Sequence, residues 1–255
     1  MLPLKKKKLL TYVLVFDQYH IIRKTLDFMT AFSDQLEIVI IENPSPNSPK
    51  IKKLIDSYGN AGKLKRHYLF EDNIAANVFS VVLERERSVI KKHSLVMLTD
   101  GDLICKDGDW LKEEISILKH NPSVFVCGVS LNSFNLPIKT FPEAKNWIPL
   151  DISEQEDYFE ARTGLHLLTL SSTDLLGFLD WFKAHEHPFV DSTLHYYCYD
   201  ILGKKWARTK KAKARHLTWD LYGDLENSYT RLKTSKSHKE MWFHLKKADF
   251  SLKEY

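Results

Sequence analysis

Two aspartates separated by one glycine stand directly after an apolar run in the stretch SLVMLTDGDLI, residues 94–104. Two carboxylates this close repel each other and resist ionising together unless a positive charge lies beside them. Because hard divalent cations prefer oxygen ligands, Asp100 and Asp102 are candidates for a Mg²⁺ or Mn²⁺ site. The alternative is a polar turn. The second DGD triplet, at 107–109, precedes a helix and suits a turn with Asp109 as the N-cap.

The first 104 residues alternate apolar strands with amphipathic helices. Apolar runs typical of strands buried on both faces of a parallel sheet occupy 9–16, 36–41 and 94–100, and KRHYLF at 65–70 predicts a further, short strand. Between these runs, apolar residues recur at helical spacing over 21–32, 51–58 and 77–90. This alternation predicts right-handed βαβ units and a mainly parallel α/β sheet. We therefore expect 9–104 to form a nucleotide-binding half.

Side chains that can bind ligands follow each of the four strands. In open α/β sheets, ligands collect beyond the carboxyl ends of the strands. The polar residues at those ends are Asp17, Glu42, Asn43, Asp72, Asn73, Asp100 and Asp102. We expect them to converge on one site, although Asn43 before Pro44 and Asn73 before a helix are also ordinary turn formers.

The chain beyond Asp102 is less regular. Helices are predicted over 109–120, 173–185 and 191–205, and strands over 123–131 and 164–172. The segment 132–160 contains three prolines and is expected to form a loop or a partly ordered lid. KWART and KARHLTW, at 205–209 and 213–219, predict short strands or loop.

Three parts of the chain follow from these patterns. Residues 1–8 form a basic N-terminal tail, and 9–220 form one domain, in which 105–220 is the acceptor half. Residues 221–255 form a polar, amphipathic C-terminal tail. Its stretch SHKEMWFHLKKADF, at 237–250, predicts a helix that packs on the domain or lies at a membrane surface.

Composition excludes several classes of protein. The 37 Lys and Arg against 33 Asp and Glu give a formal charge of +4, which is too small to indicate nucleic acid, so we expect no nucleic-acid partner. The three cysteines lie far apart without CxxC spacing, which indicates reduced thiols rather than a zinc site. No segment approaches the roughly 20 apolar residues that span a bilayer. We expect a cytoplasmic protein, with any membrane contact peripheral and at the inner face.

The order of elements and the residues at the strand ends resemble the family 2 glycosyltransferases of the GT-A fold. The segments that carry the resemblance are VLVFDQY, IVIIENPSP and LVMLTDGD, at the ends of the first, second and fourth strands. EDNIAANV stands where the family often has Asn-x-Gly opening a helix, with Ala75 in place of the glycine. The resemblance covers residues 9–220. It implies a GT-A (Rossmann-like) α/β fold, with a mainly parallel sheet flanked by helices and a smaller mixed region on the acceptor side.

The resemblance implies that the DGD triplet binds Mn²⁺ or Mg²⁺. Asp102 would be a metal ligand, and Asp100 would reach the ribose and touch the ion through water. In this family a histidine late in the chain, in a His-Leu-Gly-Trp type of stretch, commonly closes the metal site. KARHLTWDLY offers His216 in this position, with Thr218 in place of the glycine. The alternative for His216 is a structural histidine, one of 11 in the chain.

An inverting sugar transfer also needs a carboxylate that takes the proton of the acceptor hydroxyl. The family places it in a Glu-Asp pair that opens a helix. HPFVDSTLHYYCYDILGKKW has Asp191 in the place of the aspartate and Val190 in the place of the glutamate. The resemblance therefore implies Asp191 as the base, while on local grounds Asp191 fits equally well as a helix N-cap. Asp180 and Glu186 are the alternative carboxylates.

The same resemblance places the nucleotide contacts on residues that end the first four strands. These residues are Phe16, Asp17, Glu42, Asn43, Asn73 and Asp100. Acceptor or donor-sugar contacts usually fall near the strand that follows Arg162, Thr163 and Gly164. Four further histidines are interpreted as structural: His166, His185, His187 and His195.

These implications add up to a metal-dependent inverting glycosyltransferase. It would move a sugar from a nucleoside-diphosphate donor, with UDP preferred, to a saccharide or lipid-linked hydroxyl acceptor in surface polysaccharide or glycolipid synthesis. One alternative is a nucleotidyltransferase, which normally has a Gly-rich basic loop after the first strand, whereas DQYHIIRK has no glycine. The other is a catalytically inactive protein of the same fold that binds nucleotide sugars. The sequence does not indicate an oligomeric state.

Overall fold

The computed structural model describes residues 7–106, 109–235 and 248–255. The first half alternates strands and helices. Its elements are β1 (Leu9–Val15), α1 (Tyr19–Thr30), β2 (Leu36–Glu42), α2 (Ser48–Asn60), β3 (Arg66–Phe70), α3 (Asn77–Arg85), α4 (Arg87–Ile90) and β4 (Leu95–Asp100). The four strands lie where the apolar runs of the sequence predict them.

The second half contains shorter strands and a longer irregular connection. Its elements are β5 (Leu103–Cys105), α5 (Trp110–His120), β6 (Val124–Leu131), β7 (Ser153–Glu154), β8 (Tyr158–Glu160), β9 (Leu168–Ser171), α6 (Ser172–Ala184), α7 (Asp191–Tyr196), β10 (Lys205–His216), α8 (Ser228–Thr234) and β11 (Phe250–Glu254). Short 3₁₀ turns at Pro142–Asn146 and Leu217–Asp220 interrupt the loops. A π-helical turn at Tyr197–Ile201 continues α7.

The strands form one mixed sheet with helices on both faces. Among the described residues the order is β11-β3-β2-β1-β4-β9-β6-β10-β8-β7, and β5 pairs with β10. The first-half strands β3, β2, β1 and β4 are mutually parallel, whereas β9 runs antiparallel to both β4 and β6. This arrangement is the predicted α/β architecture, with a parallel first half and a smaller mixed region.

The central strands are mainly apolar because both of their faces are covered. In β1, Leu10 and Tyr12 belong to a core cluster beneath α3, α6 and α7, while Val13 and Val15 belong to a second cluster with α1, α2 and α5. Successive strand residues point to opposite faces, so a strand buried on both sides reads as a continuous apolar run. Burial on both faces fixes the register that brings the strand ends together.

Two predicted helices are shorter than their patterns indicate. The helix expected over 77–90 is broken at Glu86, whose buried carboxylate accepts hydrogen bonds from the hydroxyl groups of Tyr12 and Tyr68. The helix expected over 191–205 ends in the π-helical turn at Tyr197–Ile201, before Gly203 at φ +60°. In both cases a local tertiary or backbone requirement overrides a long helical periodicity.

The segment predicted as short strands or loop is one continuous strand, β10, whose pairing with β6 shifts register between Arg208 and Lys213. Three backbone N–H groups at this irregularity, from residues 210–212, donate to the Glu113 carboxylate at 2.8, 3.0 and 2.9 Å. A carboxylate from α5 thus satisfies donors that the sheet leaves unpaired, and the strand can continue to His216.

The terminal segments are only partly described. Residues 1–6 of the basic tail and most of the predicted helix at 237–250 lie outside the described residues. Within the C-terminal part, α8 packs on the domain and β11 pairs antiparallel with β3, so Tyr255 ends beside Gly59. The polar tail of the sequence therefore contributes the edge strand of the sheet.

The structure also shows where the three cysteines lie and whether any described helix could span a bilayer. Cys105, Cys127 and Cys198 are all buried. In the part of the chain that the structure describes, no helix combines the length and apolar character that crossing a bilayer requires.

The core contains a carboxyl group that forms no ion pair with any described residue. Glu114 of α5 is fully buried, and its Oε2 accepts a hydrogen bond of 2.7 Å from the Thr169 hydroxyl. Its Oε1 has no hydrogen-bond partner among the described residues. Burial raises the pKa of this carboxyl well above its ordinary value of 4.5. The fold therefore favours the protonated form.

The Glu114→Gln variant tests this assignment. A carboxyl whose pKa is raised by folding contributes stability that is present below its unfolded pKa and is lost as the pH rises. The free energy of unfolding of the wild type should therefore fall relative to that of Glu114→Gln as the pH rises above the ordinary pKa of 4.5, by up to ~1.4 kcal/mol per pH unit. Urea unfolding at several pH values measures the difference. Glu71→Gln, at an exposed carboxylate, is the control. A difference between wild type and Glu114→Gln that is constant with pH would contradict the assignment.

Candidate active site

A cavity of about 350 Å³ opens at the carboxyl ends of β1, β2 and β4. Six of the residues predicted from the sequence line it together: Phe16, Asn43, Asn73, Asp100, Asp102 and His216. The remaining wall consists of Leu14, Gln18, Ile21, Ile22, Ala75, Ala76, Gly101, Trp147, Thr218, Trp219, Tyr222, Tyr229 and Lys233. The expected convergence of strand ends on one site is therefore present for most of the predicted residues.

The DGD turn is held tightly against neighbouring backbone. Gly101 N–H donates to the carbonyl of Leu14 at 2.6 Å, and Asp100 N–H donates to the carbonyl of Leu165 at 3.0 Å. A Cβ on Gly101 would lie 2.7 Å from both the Leu14 oxygen and Val15 Cγ1. Only glycine fits this approach, because contacts that short force the backbone to move. The turn therefore places Asp100 and Asp102 at the cavity in a fixed geometry.

Strand pairing explains why a residue so late in the chain reaches this turn. β5, which begins immediately after Asp102, pairs antiparallel with the end of β10, and Leu103 lies opposite His216. In addition, Leu217 N–H donates to the carbonyl of Asp102 at 2.7 Å. His216 Nδ1 consequently lies 3.4 Å from Asp102 Oδ2.

Thr218, which stands where the resembled family has glycine, joins these two side chains. Its hydroxyl donates to Asp102 Oδ2 at 2.6 Å and lies 3.0 Å from His216 Nδ1. The hydroxyl has one proton, so donating it to Asp102 leaves the oxygen to accept from Nδ1–H. Trp219 stacks on the imidazole at 4.8 Å. This arrangement orients His216 with Nε2 as its free lone pair.

The two carboxylates of the turn are electrostatically strained. Burial raises the pKa of Asp100 well above its ordinary value, and the charges of Asp102 and Asp191 raise it further, while Lys233 opposes the shift. Burial lowers the pKa of His216, so its neutral form is favoured. A neutral imidazole is the form that can bind a metal ion.

The residues present fit a divalent cation. Asp102 Oδ1 is buried and has no hydrogen-bond partner among the described residues, so a strong acceptor is left for a ligand that the protein does not supply. Among those residues no group of three or more His, Cys, Asp or Glu side chains is arranged so that it could hold a metal ion by itself. The Asp102 carboxylate and the neutral His216 imidazole beside it instead suit an ion that takes most of its ligands from phosphate and water.

The two asparagines of the cavity wall also form hydrogen bonds with the backbone of residues 74–75. Asn43 Nδ2 donates to the carbonyl of Ala75 at 3.0 Å, and Asn43 Oδ1 accepts from Ile74 N–H at 3.2 Å. Asn73 Oδ1 accepts from Ala75 N–H at 3.0 Å. Ala75 has φ +52°, in the left-handed region that favours glycine, which gives a physical reason for the glycine of the resembled family. The two Asn side chains therefore shape this wall as well as line it.

Two predicted nucleotide contacts lie outside the cavity. The Glu42 carboxylate is fully buried and pairs with His67 Nε2 at 2.9 Å. Asp17, at φ +60°, accepts hydrogen bonds from Gln18 Nε2 at 2.7 Å and Asn47 Nδ2 at 3.1 Å. Both carboxylates hold the loops that follow β1 and β2, and neither contacts the space that Phe16 and Asn43 line.

Asp191 lies near Asp100 but outside the lining of the cavity. It is the first residue of α7, and Val190 takes the N-cap position, so Asp191 is not the helix cap that local pattern also allowed. No described residue hydrogen-bonds to its carboxylate, and burial raises the pKa of this group to about 6. It does not line the cavity of the DGD turn, but its charge reaches Asp100.

The alternative carboxylates are placed elsewhere. Asp180 is exposed and pairs with Arg87 at 2.5 Å. Glu186 lines a separate cavity beside α3 and α6. Neither lies among the residues around Asp100 and Asp191, so Asp191 is the one predicted base candidate near the DGD turn.

The acceptor-side segment 162–167 adjoins Asp191. A Cβ on Gly164 would lie 3.1 Å from Asp191 Oδ2 and 2.9 Å from His166 Nε2, so these side chains face the same small space. Thr163 is structural, since its hydroxyl accepts from Trp206 Nε1 at 2.9 Å and its carbonyl contacts His195 Nε2 at 3.0 Å.

His166, which the sequence analysis interprets as structural, lies beside His216 and outside the cavity lining. Its ring lies edge-to-face with His216 at 5.7 Å. Burial and the charge of His216 lower the pKa of His166 to about 3, which keeps it neutral. The next residue, Leu167, has φ +54°, which is strained for a bulky side chain, and its N–H is held by the Thr99 hydroxyl at 3.2 Å. Single-sequence patterns carry no signal for such a turn.

Sequence reasoning also missed much of the aromatic wall. Trp147 comes from the predicted lid at 132–160 and contacts Tyr222 at 5.5 Å. Tyr229 and Lys233 lie one helical turn apart on α8 and both line the cavity. The four-residue spacing of Tyr229 and Lys233 after a possible Asn227 cap was the one sign of a helix that presents both side chains on the same face. The polar composition of this segment instead indicated a tail.

Comparisons with known proteins place the fold. No family model matches the sequence. The chain is similar to three proteins of Acanthamoeba polyphaga mimivirus. Uncharacterized protein L142 is 39% identical over 232 residues, covering 89% of this chain and 47% of that protein. L137 is 39% identical over 251 residues (97% and 34%), and L138 is 36% identical over 255 residues (98% and 28%). The chain thus spans less than half the length of these relatives.

Solved structures with this fold include two glycosyltransferases. The mannosyltransferase PcManGT from Pyrobaculum calidifontis, in complex with GDP-Man and Mn²⁺, gives a TM-score of 0.52 at 12% identity and is matched over 83% of this chain and 57% of that one. GalNAc-T7 with UDP, GalNAc and Mn²⁺ gives 0.50 at 9% identity, over 82% and 43%. The chain therefore has the GT-A glycosyltransferase fold, as the resemblance implied.

The Gly101→Ala variant tests the close approach of the DGD turn. The added Cβ would meet Leu14 O and Val15 Cγ1 at 2.7 Å, so we expect the free energy of unfolding to fall by about 1–3 kcal/mol. Urea unfolding measures the change. Gly223→Ala, whose nearest heavy atom would lie at 3.8 Å, should be close to neutral. Equal stability of the two variants would contradict the described turn.

Proposed function

We propose that the chain is a metal-dependent, inverting glycosyltransferase that moves a sugar from a nucleoside-diphosphate donor to a hydroxyl acceptor. The observation that carries this proposal is the meeting of Asp100, Asp102 and His216 in one cavity with Asn43 and Asn73, at the carboxyl ends of parallel strands. Ligands of open α/β sheets bind at this edge. The GT-A fold supports the same reaction class.

The cation would be Mn²⁺ or Mg²⁺, held by Asp102, Asp100 and His216. When bound, it neutralises the charge that develops on the leaving diphosphate. Thr218 orients Asp102 and His216 in advance, because its hydroxyl lies between them. Mn²⁺ is present in the mannosyltransferase and GalNAc-T7 structures, which supports the same choice here.

The donor nucleotide would lie along Phe16, Asn43 and Asn73, with Asp100 at the ribose. Phe16 offers a ring for the base, and the amides offer hydrogen bonds that orient it. UDP is the preferred nucleotide, although GDP accompanies the mannosyltransferase. The acceptor would be a saccharide or a lipid-linked hydroxyl in surface polysaccharide or glycolipid synthesis.

Asp191 would act as the general base. Its carboxylate takes the acceptor hydroxyl proton, the hydroxyl oxygen forms the new bond to the anomeric carbon, and the bond from that carbon to the diphosphate oxygen breaks. Attack opposite the leaving group inverts the anomeric configuration. A partly buried carboxylate with a pKa of about 6 and no hydrogen-bond donor from the described residues is suited to accept a proton near neutral pH.

The two alternatives make different predictions for the same assays. A nucleotidyltransferase would release pyrophosphate from a nucleoside triphosphate, and the β1–α1 turn at Phe16–Gln18 contains no glycine to cradle a triphosphate. An inactive binding protein would bind nucleotide sugars without turnover.

Nucleotide binding is expected to depend on Mn²⁺ and on Asp102. A panel of UDP, GDP, dTDP and CMP, each with and without Mn²⁺, should raise the melting temperature for at least one nucleotide, since a ligand of the native state stabilises it. Asp102→Asn should abolish the Mn²⁺-dependent shift and lower the hydrolysis of the nucleotide sugar by ~100-fold or more. Asp109→Asn, at the second DGD triplet, is the matched control and should behave as the wild type. If no nucleotide shifts the wild-type melting temperature, the proposed function is wrong.

Asp191→Asn should separate binding from chemistry. Loss of a general base lowers kcat by about 10²–10⁴-fold, while donor binding stays unchanged. The wild-type rate should rise with pH through a limb centred at or below about pH 6, because only the deprotonated carboxylate accepts the proton and a nearby cation favours that form. Asp180→Asn is the control. Full transfer by Asp191→Asn would assign the base elsewhere, and retention of the anomeric configuration, measured by NMR, would exclude inversion.

A further inference from the structure

One cation lines the cavity beside the DGD turn and has no part in the mechanism above. Lys233 of α8 is the single Lys or Arg among the described residues of the cavity wall. It lies in the same space as Asp100 and Asp102, where a divalent cation is proposed to bind. The pocket therefore already contains one positive charge of its own.

The position of Lys233 is held by the packing of α8. Asn227 caps the helix, as its Oδ1 accepts from Tyr229 N–H at 2.9 Å. Thr230 is fully buried, and its hydroxyl donates to the carbonyl of Leu221 at 3.0 Å. Tyr229, one turn before Lys233, is 6% exposed, and the Lys233 ammonium lies 5.6 Å from its ring centroid. The buried face of α8 thus directs the lysine to the cavity.

The charge of Lys233 reaches each of the three proposed metal ligands. Burial lowers the pKa of Lys233, whereas Asp100 and Asp102 oppose this shift and favour the charged form. The charge of Lys233 acts in return on Asp100 and His216. Yet Lys233 forms no ion pair with a carboxylate in the described part of the chain. It faces the carboxylates across the cavity without neutralising them by contact.

Such a lysine has opposite effects on the two ligands of the proposed reaction. A divalent cation at Asp100 and Asp102 is repelled by the ammonium, because the two like charges share a half-buried cavity of low dielectric. A diphosphate is attracted both by the Lys233 ammonium and by the divalent cation. Once it lies between them, its oxygens can accept charge-assisted hydrogen bonds from the ammonium while they bind the cation.

We propose that Lys233 binds the donor diphosphate and weakens the binding of the divalent cation in its absence, so that cation and nucleotide bind cooperatively. This inference rests on the proposed function. Coupling of this kind is reciprocal: the factor by which the nucleotide strengthens cation binding equals the factor by which the cation strengthens nucleotide binding. Lys233 makes that factor larger.

Isothermal titration of Mn²⁺ alone, followed by titration of UDP and of GDP at saturating Mn²⁺, tests the inference. In Lys233→Met, the Kd for Mn²⁺ alone should fall by about 3–10-fold because a repulsive charge is gone. The Kd of the bound nucleotide should rise by about 10-fold or more, because a charged hydrogen-bond partner is lost. Lys233→Arg keeps the charge and should remain close to the wild type in both measurements.

Arg231→Met removes a positive charge from the same helix outside the cavity, where Arg231 pairs with Glu226, and serves as the matched control. It should change neither Kd. Far-UV circular dichroism and melting curves of Lys233→Met establish that α8 is retained. If Lys233→Met weakens Mn²⁺ binding, or leaves nucleotide affinity unchanged while the wild type binds both ligands, the inference is overturned and the proposed function stands. A wild type that binds neither ligand overturns both.

Discussion

The site depends on the crowding of like charges at one backbone turn. Gly101 lies so close to the Leu14 carbonyl that β4 must end against β1, and the two aspartates that flank this glycine have no room to separate. Burial and mutual repulsion make the ionised pair costly, as the raised pKa of Asp100 indicates. Two neighbours moderate this cost: the Thr218 hydroxyl, which donates to Asp102, and the ammonium of Lys233, which favours ionised Asp100.

The antiparallel pairing of β5 with β10 brings the stabilising Thr218 side chain to Asp102. β10 ends beside the turn because β5 pairs with it, and this pairing brings His216 and Thr218 to Asp102 across more than a hundred residues of sequence. Glu113 contributes from a distance, because it satisfies the backbone donors where β10 shifts register and so lets the strand continue. A surface carboxylate of α5 is thereby a condition for the position of the imidazole.

The parallel half could be predicted because strands that are buried on both faces appear in the sequence as apolar runs. The ends of these runs then mark the edge of the sheet at which ligands bind. Asp100, Asp102, Asn43 and Asn73 were found in this way. Glu42 shows the limit of that reasoning, since a polar residue at a strand end can equally pair inward, here with His67. The positions of His166 and Lys233 near the cavity were not predicted. That of His166 depends on the strained turn at Leu167, and that of Lys233 depends on the packing of the short helix α8. Neither property has a periodicity that one sequence reveals.

The two edges of the sheet bear on how the protein behaves at high concentration. An exposed strand edge offers unpaired N–H and C=O groups to other molecules and is a route to aggregation. At one side, β11 covers β3 and presents the charged residues Lys253 and Glu254 outward; at the other, the terminal strand β7 is only two residues long. Within the described residues neither border is a long apolar strand, which disfavours intermolecular strand addition at these two edges.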